Sequence, residues 1–184
     1  MTVTLTLEQT REMNPPARVI RDMRDNLPDG GTTAYTPSQM AAMGVPHYAI
    51  VWAFLHPSAL GSSFGAVVCQ IAESVLPVFE LARPGDTRPM DAIAAARRCF
   101  ANPTRANRAA ALEAAKESFA IAYAAEQFAA YAAAHAARAA ADASYAARAA
   151  AVYTAEWAVA AGCPPATVLS LIEEAGQTAP KRPV

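Results

Sequence analysis

Apolar residues recur at three- and four-residue steps along most of the chain, the period of a helix face and not of a strand. Thr6 stands three residues before Gln9, the spacing of a capping box, and predicts a short helix over Leu7–Met13 that Pro15-Pro16 ends. Val19, Ile20, Met23 and Leu27 then share one face, with Arg18, Arg21, Asp22, Arg24 and Asp25 elsewhere. They predict an amphipathic helix from Pro16 to Asn26, closed by a Pro28-Asp29-Gly30-Gly31 turn. Thr36-Pro37 reads as the cap and first position of a helix over Pro37–Met43, with Gly44 just past its end. Pro46–His56 is apolar nearly all round, as expected of a helix packed on most sides, and Pro57 and Gly61 end it. A longer helix capped by Ser62 or Ser63 is predicted to run to Ala82 with a kink at Pro77. The Arg83-Pro84-Gly85-Asp86 turn follows, and Thr87-Arg88-Pro89 opens a helix reaching Phe100.

Thr104–Ala161 contains neither Gly nor Pro and is rich in alanine, the best intrinsic helix former. As one helix it would extend roughly 87 Å, against a radius of gyration near 16 Å for a compact chain of this length. It is therefore expected to fold back at least once, in the Ser118–Ala125 region or at Asp142-Ala-Ser144, whose polar side chains can cap. Gly162 and Pro164-Pro165 end the stretch, a last helix covers Ala166–Ala175, and residues 177–184 read as a frayed tail. The predicted fold class is all-α, a single-domain multi-helix bundle over residues 1–184 with an alanine-rich C-terminal helical block.

Composition narrows the partners. The 184 residues are 54% hydrophobic and 17% charged with a formal net charge of −1, which suits one domain and argues against a nucleic-acid groove or a polybasic membrane surface. No charged residue falls between Gly30 and Ala72, but Pro46, Pro57 and Gly61 break that stretch, so it is expected in the core and not in a membrane. Cys69, Cys99 and Cys163 are odd in number, widely spaced and without a CxxC pair; with the absence of a signal-peptide pattern in the first residues, they predict reduced thiols and a cytoplasmic location.

Candidate chemistry is sparse. No HExxH, GxSxG, glycine-rich phosphate loop, calcium loop or paired-cysteine motif is present, and neither cofactor nor metal is expected. His47 and His56 flank an apolar helix as structural residues. Glu73 and Glu80 lie seven apart on one predicted helix, a weak basis for acid–base work. Asp86, Arg88, Asp91, Arg97 and Arg98 crowd around another helix, as capping and surface ion pairs or as a binding site. Tyr131, His135, Arg138, Asp142, Tyr145 and Arg148 follow at helical steps and form either a solvated face, with Arg138 and Asp142 an i, i+4 pair, or a ligand or partner surface.

The run Val68–Arg97 carries Leu76-Pro-Val-Phe-Glu80, then Pro84-Gly-Asp-Thr-Arg-Pro89, then Ala92-Ile-Ala-Ala-Ala-Arg97, and an alanine-rich block follows. This pattern resembles an immunity-protein family of bacterial polymorphic toxin systems, on Glu73, Leu76, Pro77, Phe79, Glu80, Asp86, Arg88, Pro89, Ala92, Ile93 and Arg97. The resemblance spans about Thr36–Ala161 and leaves 1–33 as a variable N-terminal extension. Where members often carry more histidines in the alanine block, this chain offers His135 and then Asp142 and Tyr145. The resemblance implies an all-α cytoplasmic protein that binds and silences a cognate protein toxin without catalysis.

Such an inhibitor needs roughly 800 Å² of contact surface per partner around aromatic or arginine anchors, for which Arg83, Arg88, Arg97, Arg98 and Tyr145 are candidates. The near-neutral charge points to a non-nuclease target or to recognition by shape. The alternative from a different class is a helical module that sequesters a small nucleotide, with Arg88 and Arg97 on a phosphate and Tyr145 stacked on a base. An uncovered alanine-rich helix pair at the bundle's edge would also invite a homodimer.

Overall fold

The computed structural model describes residues 3–125, 127–142 and 145–178, and their side chains except at 124, 125, 145–147 and 178. Among them helices dominate, and strand-type pairing is limited to an isolated antiparallel bridge between Leu5 and Tyr35. Where composition predicts one domain, the chain gathers into two compact units: Met1–Phe64 with Pro165–Val184, and Gly65–Pro164.

The first unit contains α1 (Leu7–Glu12), α2 (Ala17–Asn26), α3 (Pro37–Ala42), α4 (His47–Phe54), α5 (Pro57–Leu60) and α12 (Pro165–Thr178). Both expected N-caps form: Thr6 and Thr36 each accept the backbone N–H three residues on, and Gln9 and Gln39 reach back to the cap N–H. Helix α4 is buried nearly all round, from Ala49 to Phe54. Pro57, expected only to stop α4, instead opens α5, because His56 Nδ1 accepts from Ser58 N–H at 3.0 Å and caps the new turn. Residues 3–33 are integral to this unit: Leu5, Leu7, Val19, Met23 and Leu27 are all buried. Helix α12 runs past the expected end at Ala175 to Thr178, with Gly176 giving the room that Val3 occupies; a Cβ there would meet Val3 Cβ at 2.5 Å. Of the expected frayed tail, 177 and 178 close α12, and 179–184 lie outside the described residues.

The Pro28–Gly31 turn is held by Asp29, whose carboxylate accepts from Gly31 N–H at 2.9 Å and Thr33 N–H at 2.6 Å. Gly31 has φ +82°, and a Cβ on it would meet Leu7 Cβ at 2.6 Å, while Leu7 N–H is bonded to Gly31 O at 2.9 Å. Neither side can retreat without losing that bond. Gly31→Ala is therefore expected to cost about 2 kcal/mol in urea denaturation, whereas Gly30→Ala, at φ +65° with open space around it, carries only the left-handed backbone cost of about 1 kcal/mol.

The second unit holds most of α6 (Phe64–Glu73), then α7 (Leu76–Ala82), α8 (Arg88–Ala101), α9 (Arg105–Ala125), α10 (Phe128–Ala141) and α11 (Tyr145–Ala160). The expected kink at Pro77 is a complete break. The helix ends at Glu73, Ser74 Oγ donates to Ile71 O at 2.7 Å, and Pro77 takes one of the first positions of α7, where its missing N–H costs nothing. Pro57–Ala82 is long and apolar enough for a membrane span by length and composition alone; it consists of α5, a 3-10 turn over Gly61–Ser63 and α6 in succession, then α7 after the break at Ser74, and half of its most apolar window is buried.

The alanine block is divided into three helices, α9 ending at Ala125, α10 running from Phe128 to Ala141 and α11 starting at Tyr145, so it turns back twice. Helix α10 packs against α7, α8, α9 and α11, and every alanine from Ala129 to Ala140 is buried. Ser118 is no cap. It sits buried inside α9 and its Oγ donates to Ala130 O at 2.8 Å, tying α9 to α10.

Candidate functional site

Two of the four candidate anchor arginines, Arg88 and Arg97, are already engaged. Arg88 lays its guanidinium on Asp86, with Nε–Oδ1 at 2.9 Å and Nη2–Oδ2 at 2.7 Å, and this holds the Asp86 carboxyl below its ordinary range. Arg97 donates to both Glu73 carboxylate oxygens, at 2.9 and 2.6 Å. Arg83 and Arg98 are exposed, one just past α7 and the other in the last turn of α8, where a cation suits the helix dipole. The break at Ser74 also puts Glu73 and Glu80 on separate helices, so the paired-carboxylate geometry does not arise. Burial pushes the Cys69 thiol up to about 12, which keeps it protonated and unreactive at neutral pH.

The second group of candidates is brought together with partners that periodicity alone did not reveal. Tyr131, His135 and Arg138 lie along α10 and form, with Lys116, Phe119 and Tyr123 of α9 and Trp157 of α11, a groove of about 380 Å³. Its rings contact one another: Tyr131 stacks on Trp157 at 4.6 Å between centroids, and meets Tyr123 edge-on at 5.3 Å. Phe119 meets His135 edge-on at 4.9 Å. On the other side of His135, Arg138 and Tyr153 border a smaller depression of about 160 Å³. Tyr123, on the groove, is 75% exposed and Tyr153, on the depression, 49%, so an open aromatic ring borders each.

Within the groove, His135 carries a buried polar atom. Its Nδ1 is buried without a hydrogen-bond partner, and burial, aided by the neighbouring Arg138 charge, depresses its pKa to about 4. At neutral pH the imidazole is uncharged. Arg138 Nε and Asp142 Oδ2 are 3.8 Å apart, the expected i, i+4 pair. The rest of the stripe is not continuous, because α10 ends at Ala141 with Asp142 as its C-cap and α11 starts at Tyr145. Arg148 belongs to α11 and is buried instead of solvated; Tyr145 opens α11 and its side chain lies outside the described residues.

A sequence signal for this groove did exist. Each of three successive helices carries an i, i+4 pair of ring residues: Phe119 and Tyr123, Tyr131 and His135, Tyr153 and Trp157. Such pairs mark one face per helix, and three antiparallel neighbours can turn those faces to the same side. No family model, no curated protein and no solved structure matches the chain, so the groove is read from its own geometry.

Proposed function

We propose that the protein is a non-catalytic binding protein that captures and silences a partner protein, with the aromatic face of α9, α10 and α11 as its contact surface. The observation that supports this best is the groove between those helices, with the exposed ring of Tyr123 on its wall and the half-exposed ring of Tyr153 on the depression beside it. Large rigid aromatics beside an arginine are the residues on which protein–protein binding energy concentrates, because they bury much area at little entropic cost. The partner class is the one the immunity-protein resemblance implies, a toxin. The arginine–nucleotide alternative loses its phosphate clamp, since Arg88 and Arg97 are filled by Asp86 and Glu73.

Native mass spectrometry of the protein enriched gently from its source cells tests the reading. A stoichiometric protein adduct is expected, absent in Tyr123→Ala/Tyr153→Ala, and that adduct expressed alone should arrest growth that co-expression of this chain restores. An added mass of a few hundred daltons would replace the reading with small-ligand binding, for which the groove's volume is in the usual range. A doubled mass alone would replace it with self-association.

A further inference from the structure

Helix α9 carries more than the wall of the groove. Arg105, Arg108, Leu112, Lys116, Phe119 and Tyr123 follow at steps of three or four residues and make one stripe, about 27 Å long at 1.5 Å per residue. Its C-terminal part is aromatic and its N-terminal part cationic. From Ala92 to Leu112 the chain has four arginines, Arg97, Arg98, Arg105 and Arg108, and no carboxylate, although the whole chain is nearly neutral.

Two of these arginines have a structural explanation. Arg97 is paired with Glu73, and Arg98 complements the C-terminus of α8. Arg105 and Arg108 have none. They occupy the start of α9, where the helix dipole favours acids, and the first turn contains no acid. Among the described residues neither is within ion-pair distance of a carboxylate, and Arg108 Nε is buried without a hydrogen-bond partner. Two uncompensated guanidiniums at a dipole end of the wrong sign are unfavourable in the protein alone and favourable once an anionic group covers them. Lys116, by contrast, is held by Glu113 at 2.6 Å and contributes less.

We propose that this stripe docks an acidic, amphipathic protein segment, its carboxylates on Arg105 and Arg108 and an apolar side chain in the groove beside Phe119 and Tyr123. The proposal rests on the protein-capture reading and specifies the partner's chemistry. A polynucleotide fits less well, because Tyr131 and Trp157 stack on each other and Glu113 and Asp142 sit next to the cations of the groove.

The test uses fluorescence anisotropy with three labelled probes on the full chain: an 18-residue amphipathic peptide of Leu and Glu at helical spacing, the same peptide with Lys for Glu, and a 12-nucleotide single-stranded oligothymidylate. The acidic peptide should bind at micromolar concentration, at least about tenfold tighter than the basic one, and more weakly as salt rises. Arg105→Glu/Arg108→Glu should weaken it at least about tenfold while keeping the helical circular dichroism, since glutamates suit the start of a helix. Arg105→Gln/Arg108→Gln should give a smaller loss in the same direction. Equal binding of both peptides, no binding at 100 µM, or an unchanged affinity in the double variants would overturn the proposal; tighter binding of the oligonucleotide would replace the protein segment by nucleic acid. Protein capture fails separately: if the native adduct forms and survives Arg105→Glu/Arg108→Glu, the acidic segment is wrong and the capture reading stands, whereas no adduct at all removes the capture reading.

Discussion

Replacing Ala133 by leucine is expected to destabilise the protein by about 3 kcal/mol, the upper end of what overpacking usually costs. Ala133 is fully buried on α10, which is enclosed by α7, α8, α9 and α11. Alanine is the reason these helices can lie together: a side chain of one carbon lets backbones approach, and the interior is then filled by neighbouring main chain, which cannot move aside as a flexible side chain would. Leucine adds three carbons where no rotamer is free. Helix propensity hardly changes, so the loss reads packing alone. Ala120→Leu on the exposed side of α9 makes the same chemical change in open solvent and is expected to stay within about 0.5 kcal/mol of wild type. For a unit of this size the Ala133 variant should melt more than about 10 °C lower. Two variants of equal stability would mean that α10 is not the enclosed centre of its bundle.

That packing also explains which features could be read from the residues and which could not. Local chemistry is legible: the Thr6/Gln9 box, the Thr36 cap with Pro37 behind it, the Pro28–Gly31 turn and the restart at Arg88 depend only on neighbours in the chain, and they form as expected, the Gln39 half of the second box being added by the structure. Pro77 was misread in degree, because a proline in a helical run can either bend it or start a new one, and what decides is whether residues before it, here Ser74 and Val75, leave the helix. In the alanine block Asp142 is a polar signal at the end of α10, whereas the Ser118 hydroxyl, equally polar in sequence, serves the neighbouring helix. Alanine gives helix everywhere and marks no boundary. The site followed the same logic. Periodicity placed Tyr131, His135 and Arg138 on one face of α10, yet a face becomes a groove only when Phe119, Tyr123 and Trp157 arrive from other helices, and that depends on two chain reversals. Arg88 and Arg97 stand out in the sequence as charges, whereas their carboxylate partners, one two residues away and the other on α6, are visible only in the fold or in the turn geometry.

Acidification is expected to weaken the fold through His135, by up to about 3 kcal/mol between pH 6.5 and pH 4. In the folded protein the imidazole stays neutral to about pH 4, because burial between Phe119 and Tyr153 disfavours its charged form and the Arg138 cation adds to this. Lys116 across the groove is a further cation on the same cavity. In the unfolded chain a histidine takes its proton near pH 6.5. Between those values the unfolded state binds more protons, so stability rises with pH across the window, is flat above about pH 7, and is lost as pH falls toward 4. At about 1.4 kcal/mol per unit of separation, the contribution at pH 4.5 is roughly 2–3 kcal/mol. Urea denaturation of wild type and His135→Leu at pH 7.5 and 4.5 isolates it, since the carboxylates and His47 are common to both proteins and cancel in the difference. Wild type should lose about 2–3 kcal/mol more than the variant; equal losses would show that His135 already carries a proton in the folded state or is open to water. The same neutrality matters for binding. An uncharged ring keeps the groove floor compatible with a partner's apolar side chain at neutral pH, and its protonation would set a third cation beside Lys116 and Arg138 where that side chain is to be buried.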